Sequence, residues 1–509
     1  MISQINSTAL LGIDGYIVDV EVDISNGMPS FDMVGLPDAA VKESKERIRA
    51  AVKNTGLTMP SKRITVNLAP ADIKKEGAHF DLPIAVGILE ASEQLSVPKA
   101  ETIFLGELSL NGDLRRVNGV LPMVISAYQR GIKTVYLPIE NAKEAAVIDG
   151  LKVYGIKSLK ELVLHLTNQK LVEPYSVDVD SMFCQNEDDI YDFRDVKGQP
   201  FVKRALEIAA AGGHNLLMIG PPGSGKTMIA QRIPSILPDM SFEESLEVTK
   251  IHSIAGLVSE KNPMLSKRPF RHPHHTISSV GLSGGGSNPR PGEISLSHNG
   301  VLFLDEFPEF RRDALEAMRQ PLEDGEVTIT RAGGTVTYPS SVMLVASMNP
   351  CPCGYYGDPT RECTCSQTQI MKYMSKISGP LLDRIDLHIE VPAVTYEDLE
   401  GKDMGESSAE IKARVNSARK VQLERFKSRG LYSNSQLTPE LMQKYCALDE
   451  EGSELLKAAF DTLGLSARAY NRILKVARTI ADLEGEENIK AHHIAEAIQY
   501  RALDKKFFN

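Results

Sequence analysis

Gly220-Pro221-Pro222-Gly223-Ser224-Gly225-Lys226-Thr227 decides how the rest of this 509-residue chain is read. Four apolar residues, Leu216-Leu217-Met218-Ile219, lead into it, and a helix-compatible stretch leaves it. Such a short apolar run is the pattern of a parallel strand buried on both faces. The octapeptide fits G-x-x-x-x-G-K-[ST] between strand and helix, the context in which that spacing cradles phosphate. Its glycines let the backbone curl, so that successive N–H groups point at phosphate oxygens beside the positive end of the helix. Lys226 supplies a point charge for the β- and γ-phosphates, and the Thr227 hydroxyl a ligand for Mg2+. ATP with Mg2+ is therefore the expected cofactor pair.

A second buried-strand pattern, Val301-Leu302-Phe303-Leu304, ends in Asp305-Glu306. A carboxylate at the end of such a strand needs a cation or several donors. Asp305 is placed to hold Mg2+, and Glu306 to polarise an attacking water as general base. A third apolar strand, Val342-Met343-Leu344-Val345-Ala346, runs to Ser347-Met348-Asn349-Pro350.

Outward from this site the chain divides on pattern. Short β-like runs (64–68, 134–137) alternate with helical ones (39–55, 122–131) in a first region, 1–167. Residues 168–194, with Glu187-Asp188-Asp189, read as an acidic linker. The α/β segment with the nucleotide chemistry spans 195–394, and 395–509 is helical, with helices expected over 409–428, 438–445, 452–463, 467–484 and 490–501. The composition, 42% hydrophobic and 24% charged, is that of an ordinary globular protein with several domains. No apolar run approaches the roughly 18 residues of a membrane span, and no secretory signal opens the chain. A cytoplasmic protein without a membrane partner is expected. The net charge of −10 argues against a broad basic coat, while leaving room for nucleic acid in a local channel.

Two further patterns carry chemistry. Residues 326–338 alternate Thr and Val on two arms around Gly333-Gly334, as a β-hairpin does, with Arg331 near the tip. Cys351-Pro352-Cys353 and Cys363-Thr364-Cys365 supply four thiols with nine residues between the pairs. Four thiolates suit tetrahedral Zn2+; free thiols, a disulfide or an iron–sulfur site are the alternatives. Cys184 and Cys446 stand alone.

With these motifs in hand, the core resembles AAA+ ATPases, and specifically their magnesium-chelatase and MCM branch. On that resemblance Val196, in Asp195-Val196-Lys197-Gly198-Gln199, covers adenine, and Asn349 is the sensor that orients the lytic water. Arg384, in residues 378–386, is an arginine finger for a neighbour's γ-phosphate, and Arg468 is a second sensor in the helical lid. The bland reading of both arginines is a salt-bridged helix residue. The decorated stretch before the acidic strand contains Lys267, Arg268, Arg271 and the cluster His272, His274 and His275, and resembles the branch's helix-2 insert. It implies basic contact with nucleic acid or nucleotide-linked gating rather than a metal site. Arg331 corresponds to the basic pore residue of MCM-type motors; its bland reading is an exposed charge.

The layout over essentially the whole chain resembles the bacterial ComM (YifB) family. That implies an α/β AAA+ P-loop NTPase core with a helical lid, preceded by an α+β Lon-protease-like domain of the ribosomal protein S5 domain 2-like type. Residues 106–112 and 131–141 carry the Lon likeness. A Lon protease needs a Ser nucleophile and a Lys base. The lysine position, ten residues before Gly131, holds Leu121, and the segment matching the serine, 75–82, contains no Ser. The resemblance implies an ATPase that assembles as a homo-hexamer on single-stranded or branched DNA and drives branch migration in natural transformation. A magnesium-chelatase ATPase subunit and an ATP-dependent protease-like or remodelling factor are the rivals, the latter disfavoured by the missing dyad.

Overall fold

The computed structural model describes residues 2–98, 101–179, 182, 191–286, 289–331, 334–359, 361–394, 400, 405–427, 429–463, 465–503 and 507. Glu187-Asp188-Asp189, Cys184 and Gly333 lie outside the described residues. The chain forms two compact units, one of Met1–Gln185 with Ser245–Ser266, the other of Asn186–Glu244 with Lys267–Asn509. Twenty-two residues from within the 195–394 stretch thus belong to the first unit.

In the first unit a four-stranded sheet runs in the order Ile2–Leu11, Asp14–Ser25, Arg63–Ala69, Ser30–Val34. Period-two alternation turns Val18, Val20 and Val22 to one face, where all three are fully buried. That face meets the almost wholly apolar helix Asp81–Ala91. The approach is close: a Cβ on Gly87 would come within 2.7 Å of Val22 Cγ2. A parallel three-stranded sheet, Thr102–Phe104, Thr134–Pro138 and Lys152–Ile156, carries the helix Val120–Gln129 in its own core. The segment Ser245–Ser266 joins this unit through polar bonds: Ser253 Oγ donates to Glu144 at 2.5 Å, and Gly119 N donates to Ser253 O at 2.9 Å.

Where the Lon resemblance looks for a dyad, Leu121 is fully buried. Lys75 is buried with its Nζ donating to Ile73 O at 2.7 Å. No hydroxyl nucleophile stands in residues 75–82.

The second unit is built on a five-stranded, all-parallel sheet ordered Phe270–Arg271, Val301–Leu304, Met343–Met348, Leu216–Ile219, Leu387–Glu390. Three of the five strands are completely buried, as unbroken apolar runs require. The edge strand Phe270–Arg271 carries no such run and is set among prolines, so sequence pattern does not reveal it. The P-loop helix is short, Lys226–Ala230; a 3-10 turn containing Pro234 follows, because proline cannot donate to a continuing helix. The helices Ser408–Arg425, Pro439–Tyr445, Glu450–Leu463, Ala467–Leu483 and Ala491–Gln499 close the unit. Ala467–Leu483 turns Ile473, Val476, Ala477 and Ile480 inward, at helical spacing, against Pro200–Gly212. Among the described residues no helix is long and apolar enough to cross a membrane.

Candidate ATPase site

Three adjacent parallel strands end side by side, and each delivers polar residues at its carboxyl end, where open α/β sheets bind ligands. Leu216–Ile219 runs into the P-loop, Val301–Leu304 into Asp305-Glu306, and Met343–Met348 into Asn349. Gly223 and Gly225 have φ of +81° and +88°, a conformation that side chains resist, so the curled loop depends on them.

Lys226 Nζ donates to Gly220 O and Pro221 O, both at 2.8 Å, and lies 3.3 Å from Asn349 Oδ1. Burial pulls this ammonium down to about 8, and Asp305 pulls the other way. An ammonium half-stripped of water and held at the loop mouth fits a phosphate ligand. Thr227 Oγ1 donates to Asp305 Oδ2 at 2.6 Å, the spacing of two oxygens that can share one Mg2+. The other Asp305 oxygen accepts from Glu306 N at 3.0 Å and from Ser347 Oγ. Ser347 carries no role on sequence grounds. Its signal was a lone hydroxyl in an apolar strand, two residues before Asn349 and so on the same face.

Val196 is 1% exposed and packed in the core, so it can offer a nucleobase its main chain but not its side chain. Gln199 bridges the segment to the P-loop, donating to Ser224 O at 3.3 Å and Pro392 O at 2.9 Å.

Arg384 and Arg468 are brought together in a different place. Both line a 530 Å³ cavity with Arg472, Lys475, Glu323 and Asp386, and no P-loop residue borders it. Arg384 is 6% exposed, donates to Pro380 O at 2.7 Å and pairs with Glu323. Burial and the neighbouring Arg468, Arg319 and Arg472 hold its pKa below the ordinary guanidinium range. Burial pushes the Asp386 carboxyl up, but Arg472 and His214 outweigh it and keep the group well below the usual carboxylate range. Arg472, Lys475 and Glu323 are members of this cluster that sequence reading missed.

Two of the basic residues expected to meet nucleic acid are already committed. Arg268 donates to Pro238 O at 2.7 Å, Asn299 O at 2.8 Å and Glu244 at 2.8 Å. Arg271 grips Glu293 with two bonds of 2.6 and 2.8 Å. Arg268 is thus largely tied into the fold, Arg271 pairs with Glu293 through Nε and Nη2 while its side chain stays a third exposed, and Lys267 is exposed. The hairpin Glu326–Arg331 and Gly334–Pro339 forms with Arg331 opposite Gly334, and Arg331 is exposed.

The four sulfurs of Cys351, Cys353, Cys363 and Cys365 all lie within 4.8 Å of one another, with Cys351 3.3 Å from Cys353 and 3.7 Å from Cys363. Tetrahedral Zn2+ with Zn–S of about 2.3 Å sets sulfurs about 3.8 Å apart, so the cluster fits that ion. Glu484, His492 and His493 also converge, but His493 Nδ1 accepts from Lys490 N at 2.9 Å. The His493 Nε2–H is therefore a donor to Glu484, at 3.1 Å, and not a ligand.

Comparison with known proteins now decides the family. Competence protein ComM of Haemophilus influenzae is 45% identical over 503 residues, covering 98% of this chain and 97% of that protein. The chain belongs to the ComM/YifB family. YifB of Escherichia coli is 44% identical over 507 residues, 99% of this chain and 98% of its own length. The family described as magnesium chelatase, subunit ChlI, matches residues 192–399; a further ChlI family matches 20–141, and the ChlI C-terminal family 405–501. Lon protease 2 of Bacillus subtilis is 24% identical over 177 residues, 31% of this chain and 32% of that one. The fold is thus a magnesium-chelatase-like AAA+ core with a Lon-like domain, and the ComM-type site is that of an ATPase using ATP and Mg2+.

Proposed function

We propose that this ATPase works as a homo-hexameric ring that moves along DNA, driving branch migration or strand unwinding in recombination or natural transformation. The observation that carries the ring is the separation of Arg384 and Arg468 from the P-loop: they share a cavity that no P-loop residue borders. A subunit so built draws its arginines from a neighbour, which couples hydrolysis to assembly.

Within one site, Val196 and the P-loop residues Gly220 to Thr227 hold the nucleotide, and Lys226 holds the β- and γ-phosphates. Glu306 takes the proton of the attacking water, which Asn349 orients. Thr227 and Asp305 would hold Mg2+, which neutralises phosphate charge when bound. Water adds at the γ-phosphorus, the bond to the β-phosphate oxygen breaks, and ADP and phosphate leave. Arg384 and Arg468 of the adjoining subunit meet the charge that spreads over the transferring group.

The track is DNA. The support for it is the exposed Arg331 on its hairpin arm, a position from which a guanidinium can grip a backbone phosphate, and kinship with a competence protein. Zn2+ on Cys351, Cys353, Cys363 and Cys365 closes the segment 351–365 beside the nucleotide. The domains of this reading are a Lon-like domain over 1–167 without a Ser–Lys dyad, an acidic linker over 168–194, the core over 195–394, of which 245–266 belong to the first unit, and the lid over 395–509.

The test is ATP turnover with single-stranded, duplex and branched DNA side by side. Wild-type protein is expected to be stimulated, most by branched DNA, and Arg331→Ala to lose both DNA affinity and stimulation. No binding at low salt and no stimulation by any DNA, with turnover answering instead to porphyrin-pathway partners, would select a chelatase-type subunit.

A further inference from the structure

The helix Ala39–Asn54 of the first unit carries two separate stripes. Val41, Ser44, Ile48, Ala51 and Val52 are buried and hold it to its own core. Lys42, Lys45, Arg49 and Lys53 form the other stripe, Lys42 and Lys53 exposed and Lys45 and Arg49 partly so. Their spacing of three, four and four residues sets them within an arc of about 80° and along about 17 Å of helix.

The fold does not consume these charges. Arg47, on the same helix, gives Nε and Nη2 to Asp81 at 2.7 and 3.0 Å. The side chains of Lys42, Lys45, Arg49 and Lys53 reach no carboxylate and no carbonyl among the described residues. Glu46 is exposed beside the stripe and pairs with none of them. Neighbouring cations at helical spacing repel one another, a cost that a bound polyanion removes.

We propose that this stripe binds the phosphate backbone of DNA, so that the Lon-like domain holds part of the track. The inference rests on the reading of DNA as that track.

The make-up of the face selects this partner. Three of the four cations are lysines, and no large hydrophobic residue of the helix is exposed. Protein interfaces are poor in lysine and rich in aromatic residues and methionine, whereas phosphates are taken by lysine and arginine without apolar contact. Each DNA strand rises about 3.4 Å per step, so the stripe is as long as about five steps. The helix is also fixed in place. Asp38 Oδ1 accepts from Val41 N at 2.8 Å at one end, and Asn54 Nδ2 donates to Leu110 O at 2.8 Å at the other. The cations are therefore presented as a set on a rigid element. In a chain of net charge −10 this helix holds five basic residues and two acidic ones, a local excess that composition over the whole chain conceals.

The test is DNA binding by the full-length protein over a salt series, with single-stranded, duplex and branched DNA at matched assembly. The stripe variant combines Lys42→Ala, Lys45→Ala, Arg49→Ala and Lys53→Ala, which keeps a strong helix former at each position. A control combines Lys152→Ala, Lys157→Ala, Lys160→Ala and Lys170→Ala, exposed lysines of the same unit whose loss changes the net charge equally. Each phosphate contact contributes about 0.9 to the duplex salt slope, so the stripe variant should lower that slope by about 3 to 4 and weaken binding by roughly tenfold or more. The control should move the slope by less than about one contact's worth. Glu43→Gln with Glu46→Gln removes the acids beside the stripe and should tighten binding two- to fivefold, roughly the scale of exposed charge pairs. ATP turnover without DNA should stay at the wild-type rate in all three, since no substituted residue belongs to the nucleotide site.

A stripe variant with wild-type affinity and slope overturns the proposal. So does a control that loses as much, because net charge alone would then account for the loss, and so does unchanged affinity in the Gln variant. If the stripe variant loses assembly while keeping the DNA slope, the face belongs to a second copy of the chain and the proposal falls. Wild-type protein that binds no DNA at low salt overturns the track itself, a result distinct from a DNA-binding wild type beside an unaffected stripe variant.

Discussion

Removing two thiolates from the proposed Zn2+ site of the four-cysteine segment separates its architecture from its chemistry. The perturbation is Cys363→Ser with Cys365→Ser, which leaves Cys351 and Cys353 as a pair too few for a closed tetrahedral site. Cys351 and Cys365 bound a fifteen-residue loop with little core of its own: of the four cysteines only Cys351 is buried. Cross-linking a loop of that length removes about 3 kcal/mol of chain entropy from the open ensemble, and the variant forfeits that constraint. The loss reaches the nucleotide because the loop leans on the P-loop: a Cβ on Gly354 would come within 2.5 Å of Pro222 Cδ. Elemental analysis of wild-type protein is expected to give about one Zn2+ per chain, the stoichiometry of a four-thiolate site, and the double variant none. Thiol titration of the native protein should be slow until a chelator is added, and equilibrium ATP binding should weaken in the variant. Wild-type protein that is free of metal, with four thiols titrating at once, would refute the reasoning.

Other expectations are independent of the metal. Lys226→Ala should lose nucleotide affinity, whereas Glu306→Gln should bind ATP and turn it over at least a hundredfold more slowly, roughly the cost of removing a general base; filter binding and phosphate release distinguish the two. Arg384→Ala should bind ATP without hydrolysing it, and mixing it with Lys226→Ala protein should restore part of the rate through mixed rings. Absence of rescue in demonstrated mixed assemblies would remove the finger in trans. In the first unit, burial pulls the fully enclosed His79 down to about 4, with the Thr8 carbonyl, 3.0 Å from Nε2, opposing. A group bound as the neutral form contributes stability above its unfolded pKa of about 6.5 and loses it as pH falls through the folded value. Thermal melts of the first unit's transition should therefore drop by the equivalent of about 3 kcal/mol between pH 6.5 and 4, and His79→Gln should flatten that slope.

The sequence carried the nucleotide site because local spacing alone builds it. A strand, a glycine loop and a helix are contiguous in the chain, and an unbroken apolar run such as Val301–Leu304 announces burial on both faces. The same holds for the hairpin, where alternation and a glycine turn lie within fourteen residues, 326–339. Helices with one apolar stripe were equally legible: Ala39–Asn54 and Ala467–Leu483 end within a residue of the sequence reading.

What the sequence could not carry are relations between residues far apart in the chain. Charge composition made Arg268 and Arg271 candidates for nucleic acid. Only the fold shows that Glu244 pairs with Arg268 and Glu293 with Arg271, since which carboxylate faces an arginine depends on packing. The two-residue strand Phe270–Arg271 has no periodicity of its own and exists because Val301–Leu304 offers it a ladder. Tertiary structure alone decided that Arg468 shares a cavity with Arg384, that Ser253 is held by Glu144 of the first unit, and that His275 meets Glu306. Motifs fix chemistry through neighbours in sequence, while the contacts that restrain that chemistry arise only when separate strands and helices close on one core.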